Sequence, residues 1–143
     1  METTNKMKLT FLSRSENEAF ARSVISCFAL QLNPTLSQLS DIKTAVSEAV
    51  TNSIVHGYSS DKGEITLDAT ICGNTLHINV IDKGVGIENL SQALEPFFTT
   101  KSEEERSGMG FTIMESFMDD VFVESKVGEG TKVYMKKIIN SDF

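Results

Sequence analysis

The apolar residues change period near residue 60, and that change limits what the chain can fold into. From 36 to 57 they fall at Leu39, Ile42, Val46, Ala49, Val50 and Ile54, the spacing of one helix face. From 63 to 82 they alternate. Residues 63–72 (GEITLDATIC) and 75–82 (TLHINVID) each read as a strand with one buried face. Gly73-Asn74 between them is a tight hairpin turn. Upstream, 7–13 predicts a strand and 16–32 a helix, opened by a Ser15-x-x-Glu18 capping box. Asn33-Pro34-Thr35 ends that helix and starts the next, for which Gly57 is a natural stop. Downstream, 83–107 is irregular and rich in Gly, Ser, Glu and Thr. Residues 110–118 read as a short helix, and 121–127 with 131–139 as a hairpin around Gly128-Glu129-Gly130. The order β-α-α-β-β-loop-α-β-β is dominated by hairpins. It predicts an α/β (α+β) two-layer sandwich: a mostly antiparallel sheet with helices on one face.

Composition narrows the function. The 143 residues suit a single domain, 1–143. Thirteen basic residues against 20 acidic ones give a net charge of −7. That argues against direct contact with nucleic acid, which calls for a basic face. An anionic ligand would then need local backbone dipoles and a metal. Cys27 and Cys72 stand far apart with no C-x-x-C, so a disulfide framework and a structural zinc are not expected. Both read as small buried hydrophobes. METTNKMK lacks the apolar segment of a signal peptide, and no stretch nears the roughly 20 apolar residues of a membrane span. The expectation is a cytoplasmic protein.

Five short stretches carry side chains suited to chemistry. Glu48, Asn52 and His56, each four apart, form a stripe beside the core stripe, with Ala45 and Ala49 between leaving room for a ligand. A carboxylate and a carboxamide one turn apart offer hard oxygen ligands for Mg²⁺ and a general base. For Glu48 alone a solvated helix face is the better explanation. Asp82-Lys-Gly84-Val-Gly86 ends an apolar strand. Such an Asp can accept from an exocyclic amine, and the glycines let backbone approach a flat ring; a plain turn is the alternative. Ser107-Gly108-Met109-Gly110-Phe111 puts glycines where a helix start exposes N–H groups to an anion, or forms a hinge. Glu95-Pro-Phe-Phe-Thr99-Thr-Lys101 and Arg106 lie in the long loop, where the cations can meet phosphate and the loop can close as a lid. Gly128-x-Gly130-Thr131 precedes the last strand and needs no ligand as a turn.

Taken together, E-x-x-x-N-x-x-x-H-G, D-x-G-x-G, E-P-F-F-T-T-K, G-x-G-F and G-x-G-T resemble the Bergerat ATP-binding fold of the GHKL superfamily over roughly residues 36–137. P-loop and dinucleotide fingerprints are absent. The resemblance implies ATP/ADP and Mg²⁺ as cofactors. It makes Asn52 the Mg²⁺ ligand and Asp82 the adenine-binding carboxylate, with Gly84 and Gly86 beside it. Gly108, Met109 and Gly110 become the phosphate-binding lid segment, with Thr99 and Lys101 contributing, and Thr131 lies near the base. Within the superfamily, the length and the strings SEAVTNSIVHGY and ERSGMGFTIMESFMD are similar to the anti-sigma-factor serine kinases. Those proteins hold a sporulation sigma factor of RNA polymerase inactive and phosphorylate a serine of an anti-anti-sigma factor. By that resemblance Glu48 is the general base, Arg106 neutralises γ-phosphate charge, Arg22 contacts a partner, and the protein is a homodimer. The alternatives are a nucleotide-gated binding module without kinase activity and a detached histidine-kinase catalytic domain. The leading METTN has no evident role and is expected to fray.

Overall fold

The structure, a computed structural model, describes residues 3–58, 62–87 and 110–139. Strand β1 (Thr3–Leu12) is followed by helix α1 (Glu16–Ala29), a 3₁₀ turn at Leu30–Leu32 and helix α2 (Leu36–Asn52). A π-helical turn, Ser53–Gly57, extends α2. Strands β2 (Glu64–Cys72) and β3 (Thr75–Asp82), helix α3 (Gly110–Phe117), and strands β4 (Asp120–Lys126) and β5 (Gly130–Ile138) complete the described elements. The five strands form one sheet in the order β1-β2-β3-β5-β4, and each neighbouring pair is antiparallel.

Alternation along the strands makes the two layers. Ile65, Leu67, Ala69 and Ile71 of β2 and Leu76, Ile78 and Val80 of β3 are buried. They share a core with Ile25 of α1, Ile42, Val46 and Val50 of α2, and Met114 of α3. Each fully buried Ile or Leu side chain contributes about 1.5–3 kcal/mol relative to exposure. The helices therefore cover one face. The expected ledge at Ala45 and Ala49 is absent, since both are fully buried in this core and leave no room for a ligand.

Local details correct the sequence reading in four places. Ser15 does not cap α1: it lies in the right-handed helical region and its hydroxyl makes no capping bond. Glu18 instead accepts from Ser47 Oγ at 2.7 Å and pairs with Arg22 at 3.3 Å. The capping box belongs to α2, where Thr35 and Gln38 exchange both bonds. Residues 3–5 of the leading segment are not frayed but lengthen β1, where Thr3 pairs with Cys72 and Asn5 Nδ2 donates to Gln31 Oε1 at 2.7 Å. Neither cysteine is buried: Cys27 is exposed on the solvent side of α1, and Cys72 is half-buried. Finally, Gly57 does not stop α2 by a left-handed turn; its φ is not positive, and its role lies in the site.

Candidate functional site

Two groups of the singled-out residues meet on the helix-covered face. One is built at the end of β3. Asp82 is the last residue of that strand, and its side chain falls in the inward phase set by Leu76, Ile78 and Val80. It is only 4% exposed. A buried carboxylate must be hydrogen-bonded, and two donors serve it. Ser53 Oγ donates to Oδ2 at 2.6 Å, and the Gly84 N–H donates to Oδ1 at 3.0 Å.

Close backbone approach shapes this end. A Cβ on Gly57 would lie 3.1 Å from the Asp82 carboxyl atoms, and one on Gly84 would lie 1.8 Å from Gly57 O. Only glycine permits that contact, which is sealed by Val85 N donating to Gly57 O at 2.8 Å. Gly86 has φ 79 and passes so near Lys126 O that a Cβ would stand 2.3 Å from it. Gly128 N donates to Val85 O at 2.8 Å, joining the β3 end to the β4–β5 turn. Thr131 lies opposite Asp82 in the β3–β5 register. Its Oγ1 is 2.7 Å from Ser125 Oγ, which also accepts from Ile87 N at 2.7 Å. Tyr58 closes the edge: its hydroxyl donates to Glu64 O at 2.6 Å and accepts from Lys83 N at 2.7 Å. Burial pushes the Tyr58 phenol up, and the bond from Lys83 acts against it.

The other group lies where α3 starts against α2. Glu48 and Asn52 sit half-buried on the α2 face. A Cβ on Gly110 would lie 3.1 Å from Asn52 Nδ2 and 3.4 Å from both Asn52 Oδ1 and Glu48 Oε1. A side chain at the first residue of α3 would thus meet the carboxamide and the carboxylate at once, and glycine leaves that space open. The unsatisfied N–H groups of a helix start favour negative charge there. His56 is half-buried in the π-helical turn. Because Asn52 and Ser53 are consecutive, the Ser53–Asp82 bond links the helix that carries Glu48 and Asn52 to the end of β3.

The donor set fits a nucleotide with Mg²⁺. The Asn52 carboxamide oxygen beside the Glu48 carboxylate supplies hard oxygens, and Asp82 keeps acceptor capacity beyond its two bonds. Thr99, Lys101, Arg106, Gly108 and Met109 lie outside the described residues. Arg22 stands apart on α1, 43% exposed and paired with Glu18.

Three hydroxyl residues of the site were missed in the sequence: Ser53, Tyr58 and Ser125. Two carried a readable signal. Ser53 continues the core stripe Val46, Ala49, Val50, and Ser125 continues the inward phase of Val121 and Val123. A serine at an apolar position needs a buried partner.

The chain has known relatives in sequence and in fold. Residues 11–137 match the histidine kinase-like ATPase domain family. The anti-sigma F factor of Thermoanaerobacter sp. (strain X514) is 58% identical over 142 residues, covering 99% of each chain. That of Clostridium kluyveri is 54% identical over 137 residues, covering 96% of each. Among solved structures, the RsbU and RsbW domains of a Mycobacterium tuberculosis protein superpose with a TM-score of 0.69 at 19% identity. That match spans 95% of this chain and 32% of the other, and it supports the fold alone. Among the described residues no helix is long and apolar enough to cross a membrane.

Proposed function

We propose, because the chain belongs to the histidine kinase-like ATPase domain family and within it to the anti-sigma F factors, that it is an ATP-dependent protein-serine kinase that also holds a sporulation sigma factor inactive. Residues 1–143 act as one domain in this reading. The observation that carries it is the start of α3 at Gly110 facing Glu48 and Asn52, with room there only for a glycine, on the helix whose next residue, Ser53, bonds the buried Asp82. Magnesium-bound ATP would supply the phosphoryl group. Asn52 holds the metal. Asp82 accepts from the base's amine, Gly84 and Gly86 lie along the ring, and Thr131 lies near it. Gly108, Met109 and Gly110 hold phosphate together with Thr99 and Lys101, and Arg106 offsets its charge.

Glu48 takes the proton from the attacking serine hydroxyl of the anti-anti-sigma factor. A general base must stand near the metal-bound phosphate, and one helical turn from Asn52 meets that need. Arg22, outside the pocket, contacts a partner protein, and two chains form a homodimer. The acidic balance suits a sigma factor, whose DNA-binding surface is basic.

The test is incubation of the purified protein with Mg²⁺, ATP and the anti-anti-sigma protein, read by mass spectrometry. Acid-stable phosphoserine on that partner supports the reading. Binding of ATP without transfer would leave a nucleotide-gated module, and acid-labile phosphate would leave a histidine kinase.

A further inference from the structure

Ser53 occupies an odd position for a polar side chain. It is 4% exposed and continues a stripe of Val46, Ala49 and Val50 that is otherwise core. An alanine would fill that place without burying a hydroxyl. The hydroxyl nevertheless makes one bond of a strong kind, 2.6 Å to Asp82 Oδ2, the length of an O–H donating to a carboxylate. The carboxyl torsion of an aspartate is otherwise broad. Here Oδ2 is held by Ser53 and Oδ1 by the Gly84 N–H at 3.0 Å. Gly57 leaves the space into which the carboxylate would otherwise be displaced by a Cβ. Two donors, one on each oxygen, leave a single plane for the remaining lone pairs.

We infer that Ser53 is the positioning residue that makes Asp82 a fixed acceptor, and that it thereby sets the pocket's preference for a purine carrying an amine over one carrying a keto oxygen or a hydrogen at that edge. This rests on the nucleotide reading above. A carboxylate accepts only. An amine hydrogen directed at the fixed lone pair is welcomed, whereas a keto oxygen meets it as like against like. Without Ser53 the carboxylate is free to turn, and the geometry of that readout is lost even though the charge remains.

The experiment compares ATP, GTP and purine riboside triphosphate, which lacks the 6-amino group, by titration calorimetry with Mg²⁺ on the full chain. The proteins are wild type, Ser53→Ala and Ser53→Cys, the last similar in size but a poor donor. In both variants ATP affinity should fall by about tenfold, the loss expected for one bond to a charged group, while affinity for purine riboside triphosphate shifts by less than about twofold. The ratio between the two ligands is the readout, because general loosening of the pocket would weaken both alike. An unchanged ratio, or equal loss for both ligands, overturns the inference. Should Ser53→Ala fail to fold by circular dichroism, Ser53→Cys carries the same comparison. Wild-type protein that binds ATP with an intact ratio in the variants sinks only the role of Ser53. Wild-type protein that takes up none of the three sinks the nucleotide reading and this inference with it.

Discussion

Asp82 and Glu48 are carboxylates at two ends of one site, and their settings differ sharply. Asp82 is enclosed by Ser53, Gly84 and Gly57, with a hydrogen bond to each oxygen. Its surroundings come from the sheet end and from glycines that allow backbones to touch. Glu48 sits half-buried on a helix face, and its near neighbour Gly110 is the first residue of α3. The first end is rigid by construction and suits recognition of a flat, fixed group. The second depends on where α3 begins relative to α2, and suits chemistry that must admit a substrate.

The largest expected effect is at the chemical end. Glu48→Gln should lower phosphoryl transfer by about 10²–10⁴-fold, the usual share of a general base, while ATP affinity changes little. A kinase assay beside calorimetry separates the two, and a variant with the wild-type rate would remove Glu48 from its role. Next comes the recognition end. Asp82→Asn should weaken ATP binding by roughly 10–100-fold and erase the preference for ATP over GTP, with any residual transfer chemistry otherwise unaltered. If the variant kept that preference, the division of labour between the ends would be wrong.

Tyr58→Phe removes the hydroxyl that joins Lys83 N to Glu64 O. A loss of about 0.5–1.5 kcal/mol in unfolding free energy is expected, the net worth of an ordinary hydrogen bond, since the exposed Lys83 N–H can turn to water; a denaturant titration measures it. Gly110→Ala places a methyl 3.1 Å from the Asn52 amide. Turnover should drop a few-fold while the ATP-to-GTP ratio holds, and a changed ratio would show that the ends are not separable.

The smallest effect lies on the opposite sheet face and serves as a control. Burial, and then the Lys136 charge, lower the His77 pKa from 6.5. Below that value the unfolded chain binds more protons than the folded one. The stabilisation is present above about pH 6.5 and lost as pH falls through the lowered value. His77→Gln should flatten this acid limb of a thermal-melt series without touching nucleotide affinity. An unchanged limb would remove His77 from the linkage.

Much of the architecture was legible because strand alternation and helix spacing were strong. The switch of period between α2 and β2 gave the layers, and Gly73-Asn74 gave the hairpin. Capping was less legible. Ser15-x-x-Glu18 and Thr35-x-x-Gln38 look alike in sequence, and only Thr35 has the extended backbone a cap needs. The Asp82 end was half visible. Its carboxylate and glycines stood in the motif, while Ser53 and Ser125 were hidden by sitting where an apolar residue was expected. The approach of the Gly110 position to Glu48 and Asn52 joins residues about sixty positions apart, which no local pattern encodes. Gly57 was assigned to helix termination when its real constraint is the carboxylate 3.1 Å from its missing Cβ.

Nucleotide uptake at these two ends is the most direct thing to measure. Calorimetry of the full chain with ATP and Mg²⁺ should give a saturable heat that favours ATP over GTP, with the preference abolished in Asp82→Asn. Absence of any heat with ATP and the metal, from protein shown to be folded, would contradict it.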